Sequence, residues 1–246
     1  MSGYATIDMS GGEPIVAVPR DYNAVTDFID RNIAQGRGAN IALIDETGSY
    51  TYEDLAERVN RAGNALQGVG VAMETRVLMC VLDGIDFPAV FWGAIKIGAV
   101  PIPLNTLLTT DDYDYMLRDS RASVLVVSDA LYDKFAPLLK DQPYLKTILV
   151  AGSDSHGHTS LAEIMASAET ALDTASTTAD DVAFWLYSSG STGAPKGVMH
   201  LQSDLVQTAA LYGLGVLGIR EDDVVLSAAK MFFAYGLGNS MTFPWY

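Results

Sequence analysis

The segment YSSGSTGAPKG, residues 187–197, joins two stretches of different periodicity. Before it, DDVAFWL at 180–186 is typical of a buried strand, and after it VMHLQSDLVQTAALYGLGV at 198–216 predicts a helix. The segment itself contains four Ser and Thr residues, three glycines and one lysine. Glycines let a backbone approach an anion closely, and the free N–H groups of a helix start bind phosphate. The arrangement therefore predicts a phosphate-binding loop between a strand and a helix.

The loop does not follow the Walker pattern, which needs Gly-Lys-Ser/Thr four residues after its first glycine. If Gly190 is taken as the first glycine of that pattern, the positions of Gly-Lys-Ser/Thr hold Pro195, Lys196 and Gly197. The sequence is therefore not that of a P-loop nucleotidase. A plain surface turn would need neither this ending nor a buried strand before it. Hydroxyl groups and an ammonium bind phosphate oxygens through bonds worth roughly 1.5–3 kcal/mol each. The predicted phosphate contacts are Ser188, Ser189, Ser191, Thr192 and Lys196, with Gly190, Gly193 and Gly197 allowing close backbone approach.

Composition limits the partners of the chain. Its 246 residues are 49% hydrophobic and 18% charged, which is typical of a folded protein, and the net charge is −15. Such a charge repels nucleic acid and anionic lipid, so we expect neither nucleic acid nor membrane as a partner. The N-terminal segment lacks a signal-peptide pattern, and Cys80, the single cysteine, reads as a buried strand residue. We therefore expect a cytoplasmic protein.

Strand and helix patterns alternate along the chain. IALID at 41–45 begins a hairpin, and Thr51 with Asp54 resembles a capping box before a helix with apolar residues at helical spacing. This alternation predicts an α/β fold of mostly parallel sheets flanked by helices. Further strands are predicted in RVLMCVL (76–82), AVPIPLN (99–105), ASVLVVSD (122–129), KTILVAG (146–152) and DDVVLSAA (222–229), and further helices in DFPAVFWGAIKIG (86–98), TTDDYDYMLRDS (109–120), ALYDKFAPLL (130–139) and SLAEIMASA (160–168).

The loop resembles the signature phosphate loop of the adenylate-forming enzymes, which include acyl-CoA synthetases, luciferases and adenylation domains of peptide synthetases. Segments 50–66, 91–105 and 111–128 resemble regions that precede this loop in the superfamily. KMFFAYGLGNSMTFP at 230–244 most resembles the benzoate–CoA ligases and related aryl-CoA ligases. The resemblance implies the N-terminal part of the large domain of such an enzyme. It implies a first α/β subdomain at 1–180 and the start of a second subdomain at 181–246.

The resemblance also implies an activity. An aromatic acid would react with ATP to give an acyl-adenylate and pyrophosphate, and CoA would then displace AMP. ATP, Mg²⁺ and CoA are the implied cofactors and co-substrates, Lys196 and Thr192 the implied catalytic residues, and no protein-held metal site is predicted. Assembly into a homo-oligomer is left open. Alternatives are an adenylate-former for fatty or amino acids and a non-catalytic nucleotide-binding module. The implied acyl pocket comprises Phe233, Ala234, Tyr235 and Gly236.

The sequence departs from the family pattern in two respects. The family often has a histidine six residues after the lysine, where this chain has Gln202, and the nearby histidine is His200. The motifs for adenine and ribose, and the mobile C-terminal domain with its lysine, would follow Tyr246. We therefore expect residues 1–246 alone to form no acyl-CoA. His156 and His158 lack further ligands nearby and are predicted to lie in a solvated loop rather than a metal site.

Overall fold

The computed structural model describes residues 3–8, 10–11, 14–188 and 193–246. In this part of the chain the strands are β1 (Thr6–Asp8), β2 (Ile15–Ala17), β3 (Ile41–Asp45), β4 (Gly48–Thr51), β5 (Arg76–Cys80), β6 (Val100–Pro103), β7 (Val124–Ser128), β8 (Thr147–Ala151), β9 (Thr159–Ser160), β10 (Val182–Ser188) and β11 (Lys196–Leu201). The α-helices are α1 (Arg31–Ala34), α2 (Tyr52–Gly68), α3 (Asp86–Lys96), α4 (Thr110–Ser120), α5 (Leu161–Ser167), α6 (Gln202–Thr208), α7 (Ala234–Leu237) and α8 (Phe243–Trp245). Single π-helical segments precede α1 at Thr26–Asp30, follow α6 at Ala209–Leu217 and separate α7 from α8 at Gly238–Thr242.

A five-stranded parallel sheet forms the centre of the fold. Its strand order is β6-β5-β7-β8-β9, and each neighbouring pair is parallel. Strands β1–β2, β3–β4 and β10–β11 form separate antiparallel pairs. The predicted α/β fold with a mostly parallel sheet is confirmed. The proposed division of the chain at residue 180 stays a prediction.

Helices cover both faces of this sheet. Successive side chains of a strand point to opposite faces, so neighbouring residues pack against different helices. Val77 and Met79 of β5 belong to the larger core cluster, which contains α2, α3 and α5. Leu78 and Cys80 point to the other face and pack with α4. Cys80 is fully buried, its thiol donates to the Tyr113 hydroxyl at 3.7 Å, and burial raises its pKa to about 11. Its thiol is therefore protonated at neutral pH and shielded from reagents.

The helix starts confirm the local capping signals. Thr51 accepts from the Asp54 N–H, and the Asp54 carboxylate accepts from the Thr51 N–H at 2.8 Å. Thr109 and Asp112 form the same reciprocal pair before α4. These bonds satisfy N–H groups that an uncapped helix leaves without partners. The apolar residues of α2 at helical spacing, Leu55, Val59, Ala62 and Leu66, are buried.

Helices α2 and α3 approach each other at two glycines. A Cβ added to Gly93 would lie 2.8 Å from the Gly63 amide nitrogen and 2.9 Å from the Val59 carbonyl oxygen. Both are backbone atoms, which cannot rotate away as a side chain can. The close packing of the two helices therefore depends on the missing side chain at Gly93.

Gly93→Ala is expected to destabilise the protein by about 1–3 kcal/mol, because the added methyl must push the helices apart. Urea unfolding monitored by circular dichroism measures the change. Gly68→Ala is the matched control, since a Cβ at Gly68, the last residue of α2, meets nothing within 4 Å. We expect the control to be neutral or stabilising by up to about 1 kcal/mol. Equal losses in the two variants would contradict the packing argument.

Two predicted elements outside the phosphate-loop region are wrong. Residues 130–139 do not form an α-helix: a 3₁₀ segment occupies Asp129–Lys134 and another occupies Leu139–Asp141. Residues 222–229 do not form a strand, and the side chains of Val224 and Leu226 are 90% and 94% exposed. Among the described residues, no strand pairs with residues 222–229, and most of the segment is exposed. Local apolar content was therefore an insufficient signal.

The loop with the two histidines is mostly exposed at residues 152–157, and ring contacts hold both histidines. The Tyr132 ring stacks on His156 with a centroid distance of 4.2 Å, and its hydroxyl lies 2.8 Å from His158 Nε2. These contacts fix the loop to the first 3₁₀ segment. In the described part of the chain, no helix combines the length and the apolar character needed to cross a bilayer.

Candidate functional site

The predicted phosphate loop joins two antiparallel strands rather than a strand and a helix. β10 pairs with β11 from Val182↔Leu201 to Ser188↔Lys196, and α6 begins only at Gln202, where the Asp204 carboxylate accepts from the Leu201 N–H at 2.9 Å. The prediction that the helix starts directly after the loop is therefore wrong. Lys196 is the first residue of β11, so the loop leads into a strand and not into a helix N-terminus.

Cross-strand pairing divides the β10–β11 hairpin into two faces. The pairs Phe184–His200, Leu186–Val198 and Ser188–Lys196 lie on one face, because directly opposed residues share a side of a sheet. On the opposite face, Trp185 and Tyr187 pack against the smaller core cluster. A Cβ on Gly197 would lie 3.1 Å from the Trp185 ring. A side chain at position 197 would therefore force the Trp185 ring to shift by a few tenths of an ångström.

The structure describes half of the predicted loop residues. Gly193 has φ +111°, a conformation that a residue with a side chain rarely adopts. Ser188 and Lys196 are exposed at the loop ends and directly opposed in the hairpin. In the described part of the chain, no carboxylate forms an ion pair with Lys196, which leaves its charge available to an anion. Ser189, Gly190, Ser191 and Thr192 lie outside the described residues.

A cavity of about 330 Å³ opens beside the hairpin face that carries Ser188. Its size lies at the lower end of the range for small-molecule sites. The segment 232–234 forms the facing wall, so the structure brings two of the four predicted acyl-pocket residues, Phe233 and Ala234, next to a phosphate-loop residue. The cavity is lined by Leu186, Tyr187, Ser188, Val198, His200, Phe232, Phe233 and Ala234.

Tyr235 and Gly236 do not line this cavity. The Tyr235 side chain is 69% exposed. A Cβ on Gly236 would collide with the Lys230 carbonyl oxygen, so the glycine is needed for chain packing. Gly236 thus has a structural explanation that involves no ligand. A pocket role for Tyr235 and Gly236 stays a prediction.

Asp83, which follows β5, holds the facing segment in place. Its Oδ1 accepts from the Met231 N–H at 3.2 Å, and its Oδ2 lies 3.6 Å from the Lys230 ammonium. The bonds tie residues 230–231 to the carboxyl end of the parallel sheet, where ligands commonly bind in open α/β folds. Sequence reasoning missed Asp83, because its partners lie nearly 150 residues away in the chain.

Helix α4 fixes the other end of the hairpin. The Tyr115 hydroxyl donates to the Pro195 carbonyl at 3.1 Å, directly before Lys196. The Tyr187 hydroxyl donates to Asp119 Oδ2 at 2.7 Å, and burial, followed by this carboxylate, raises the pKa of Tyr187. Both tyrosines therefore position the loop ends relative to the parallel sheet.

Tyr115→Phe is expected to lower the rate of the acid activation that the resemblance implies about 2- to 10-fold, because one neutral hydrogen bond contributes roughly 0.5–1.5 kcal/mol to placing the loop exit. Pyrophosphate release by the full-length protein measures the rate. The melting temperature should change little, since the ring is retained. Tyr144→Phe on the exposed surface is the control and should leave the rate unchanged. A wild-type rate in Tyr115→Phe would show that the Pro195 contact does not position Lys196.

Gln202 and His200 occupy different environments. Gln202 is fully buried, and its Oε1 accepts from the Ala24 N–H at 2.9 Å, which joins the start of α6 to the N-terminal region. His200 lines the cavity instead. Its ring stacks on Phe184 with centroids 4.6 Å apart and planes 9° apart. Burial lowers the pKa of His200, and the Asp204 carboxylate partly opposes this effect.

A larger cavity of about 540 Å³ lies between β4, α2 and α5 and contains none of the predicted site residues. Both arginines that line this cavity have partners within the protein. Arg61 forms an ion pair with Glu57 at 2.8 Å and donates to the Ala168 carbonyl, while Arg58 lies over the Tyr50 ring.

Comparison with known proteins links this geometry to a family. A family model described as AMP-binding enzyme matches residues 30–246. The benzoate–CoA ligase of Thauera aromatica is 56% identical over 96% of this chain, which corresponds to 45% of that relative. The 4-hydroxybenzoate–CoA/benzoate–CoA ligase of Rhodopseudomonas palustris is 48% identical over 92% of this chain and 42% of that relative. The chain thus spans less than half the length of these curated relatives.

A solved structure has the same fold. The crystal structure of an anthranilate CoA ligase in complex with anthranoyl-AMP superposes with a TM-score of 0.90 at 36% identity. The match covers 93% of this chain and 44% of that one. Both kinds of comparison therefore extend over nearly all of residues 1–246.

Proposed function

Because the chain belongs to the AMP-binding enzyme family, we propose that the protein that carries it is an ATP-dependent aryl-CoA ligase. The acid is a small aromatic carboxylate of the benzoate type. The reaction joins the acid to AMP and releases pyrophosphate, and the thiol of CoA then displaces AMP. Support comes from the similarity to two benzoate–CoA ligases, at 56% and 48% identity.

One structural observation carries the proposal. The hairpin face with Ser188 and Lys196 continues into the cavity whose far wall is Phe233 and Ala234. A single ligand can therefore contact cationic and hydroxyl groups at one end and an apolar wall at the other. An acyl-adenylate has this character, with a charged phosphate joined to an aromatic ring. The preference for an aromatic acid over a fatty acid is supported by the similarity to the two benzoate–CoA ligases.

The residues at the loop ends suit the charge changes of the first step. The carboxylate oxygen of the acid attacks the α-phosphorus, and the bond to the oxygen that bridges to the β-phosphorus breaks. Negative charge then builds on the departing pyrophosphate. We assign Lys196 and the Ser188 hydroxyl to stabilise this charge, because donors that are already positioned act without reorganisation. Ser189, Ser191 and Thr192 are proposed as further donors. Thr192 is proposed to share the catalytic role of Lys196.

Mg²⁺ is proposed to enter with the ATP phosphates. The described residues contain no group of three or more His, Cys, Asp or Glu side chains placed for a metal ion. Mg²⁺ is commonly held by substrate phosphates and few protein ligands, so this finding is compatible with its use. When bound it would neutralise phosphate charge, while Lys196 would contact the phosphate oxygens directly. The cytoplasmic location and assembly into a homo-oligomer stay predictions.

Pyrophosphate release by the full-length protein tests the proposal. The acids would be benzoate, palmitate and a set of amino acids, each with ATP and Mg²⁺, followed by assay for the CoA thioester. We expect release with benzoate and thioester formation when CoA is added. Release with palmitate or an amino acid in place of benzoate would favour another adenylate-former, and ATP binding without release would favour a nucleotide-binding module.

A further inference from the structure

His200 is held in a defined orientation beside the candidate acyl cavity. Its ring is stacked nearly parallel to Phe184, and its side chain is 31% exposed. Stacking fixes the ring plane, so the imidazole can present an edge rather than a face to the cavity. Val198, two residues earlier on the same strand face, and Phe233 on the opposite wall also line the cavity.

The surroundings of His200 favour one tautomer. Asp204 Oδ2 lies 3.8 Å from Nδ1, and burial lowers the pKa of the imidazole, so the ring is neutral at pH 7. A carboxylate on the Nδ1 side favours a proton on that nitrogen. Nε2 then carries a lone pair and acts as a hydrogen-bond acceptor. In the described part of the chain, the ring contacts of His200 are the stack on Phe184 and the approach of Asp204 to Nδ1, and neither involves Nε2.

The position of His200 along the hairpin decides which part of a ligand it can reach. Lys196 and His200 are four residues apart on one strand, which corresponds to roughly 13 Å. The reacting carboxylate must lie at the Ser188–Lys196 end, where the proposed function places the phosphates. The aromatic ring then extends along Val198, and its edge opposite the carboxylate faces His200.

We propose that His200 is a specificity-determining residue whose Nε2 accepts a hydrogen bond from a hydroxyl or amino group on the ring edge opposite the carboxylate. The pocket then prefers aromatic acids with such a donor to acids of equal size without one. This inference rests on the proposed function, because the direction of the ring follows from the site of adenylate formation. It adds a polar contact to a cavity that is otherwise mainly apolar at this end.

The test compares 4-hydroxybenzoate with 4-methylbenzoate, which has a similar size but no donor. Steady-state pyrophosphate release by the full-length protein gives kcat/KM for each acid. We expect the wild-type protein to prefer the hydroxylated acid and His200→Phe to lower this preference about tenfold, through KM for 4-hydroxybenzoate. The KM for ATP should be little changed, and the readout is the ratio of kcat/KM between the two acids, because a change in cavity volume affects both acids alike. His200→Gln should restore part of the preference, because its amide oxygen can accept the same bond.

The outcomes separate the two levels of the proposal. A wild-type protein that releases pyrophosphate with neither acid nor benzoate would overturn the proposed function and this inference together. If the wild-type protein releases pyrophosphate with both acids but does not prefer 4-hydroxybenzoate, the role of His200 is overturned while the proposed function stands. The same holds if His200→Phe prefers 4-hydroxybenzoate as strongly as the wild-type protein does. Should His200→Phe fail to fold by circular dichroism, the comparison of His200→Gln with His200→Leu supplies the same contrast between an acceptor and none.

Discussion

Replacing Lys196 by alanine is expected to lower pyrophosphate release about 10²–10³-fold, the typical effect of removing one donor that stabilises transition-state charge. Lys196 is exposed at the start of β11, directly opposite Ser188. Because no ion pair with a described carboxylate is lost, the fold should be retained. The loss should appear mainly in kcat, since the lysine is assigned to charge that develops as pyrophosphate departs. The measurement is steady-state kinetics with benzoate and saturating ATP.

Lys140→Ala supplies the control for this prediction. Lys140 is exposed in the second 3₁₀ segment and lines neither cavity. Its replacement removes the same charge from the protein and should leave the rate unchanged. A normal rate for Lys196→Ala at saturating substrates would refute the assignment of residues 188–197 to phosphate binding. Equal losses in both variants would point to net charge instead of position.

Ala234→Phe is expected to raise the KM for benzoate about 10- to 100-fold, because the new ring occupies part of a cavity of about 330 Å³. Misfits of one methylene in an apolar pocket change discrimination by roughly 1–3 kcal/mol, and a phenyl ring is larger. Ala234 is the first residue of α7 and lines the cavity beside Phe233. The KM for ATP should change little, since the phosphate groups are assigned to the loop ends. Pyrophosphate release at varied benzoate and varied ATP measures both constants.

Ala130→Phe is the control for added ring volume. Ala130 is exposed in the first 3₁₀ segment and lies outside the cavity lining. This variant should retain the wild-type KM for benzoate. Unchanged benzoate kinetics in a folded Ala234→Phe would mean that residues 232–234 are not the acyl wall. The aryl specificity would then be abandoned, while the membership of the AMP-binding family would stand.

Much of the central fold could be predicted because its signals are local. The runs that became β5, β7 and β8 are short, apolar and bounded by turns, and each is buried on both faces. The caps of α2 and α4 depend on residues three positions apart, so the sequence contains both partners of each bond. The loop at 187–197 was recognised from residue types in a fixed order. That information is contiguous in the chain.

Two of the three errors in predicted elements occurred where the element depends on a distant neighbour. VMHL after the loop is apolar enough for a helix, yet it pairs with β10 and places Val198 and His200 on the cavity face. DDVVLSAA at 222–229 has strand composition but no strand beside it among the described residues, and Val224 and Leu226 remain exposed. A strand is stabilised by hydrogen bonds to another strand, whereas a helix supplies its own.

The sequence by itself determined the α/β fold class, the helix caps and the family to which the phosphate loop points. Only the tertiary structure decided that Ser188, His200, Phe233 and Ala234 share one cavity. Their approach depends on the β10–β11 pairing and on Asp83, which binds the main chain of Met231 from the end of β5. The periodicity of apolar residues and the partners of local hydrogen bonds can be inferred from the order of residues in the sequence. That order does not record which distant side chains meet, because that depends on how the assembled elements pack in space.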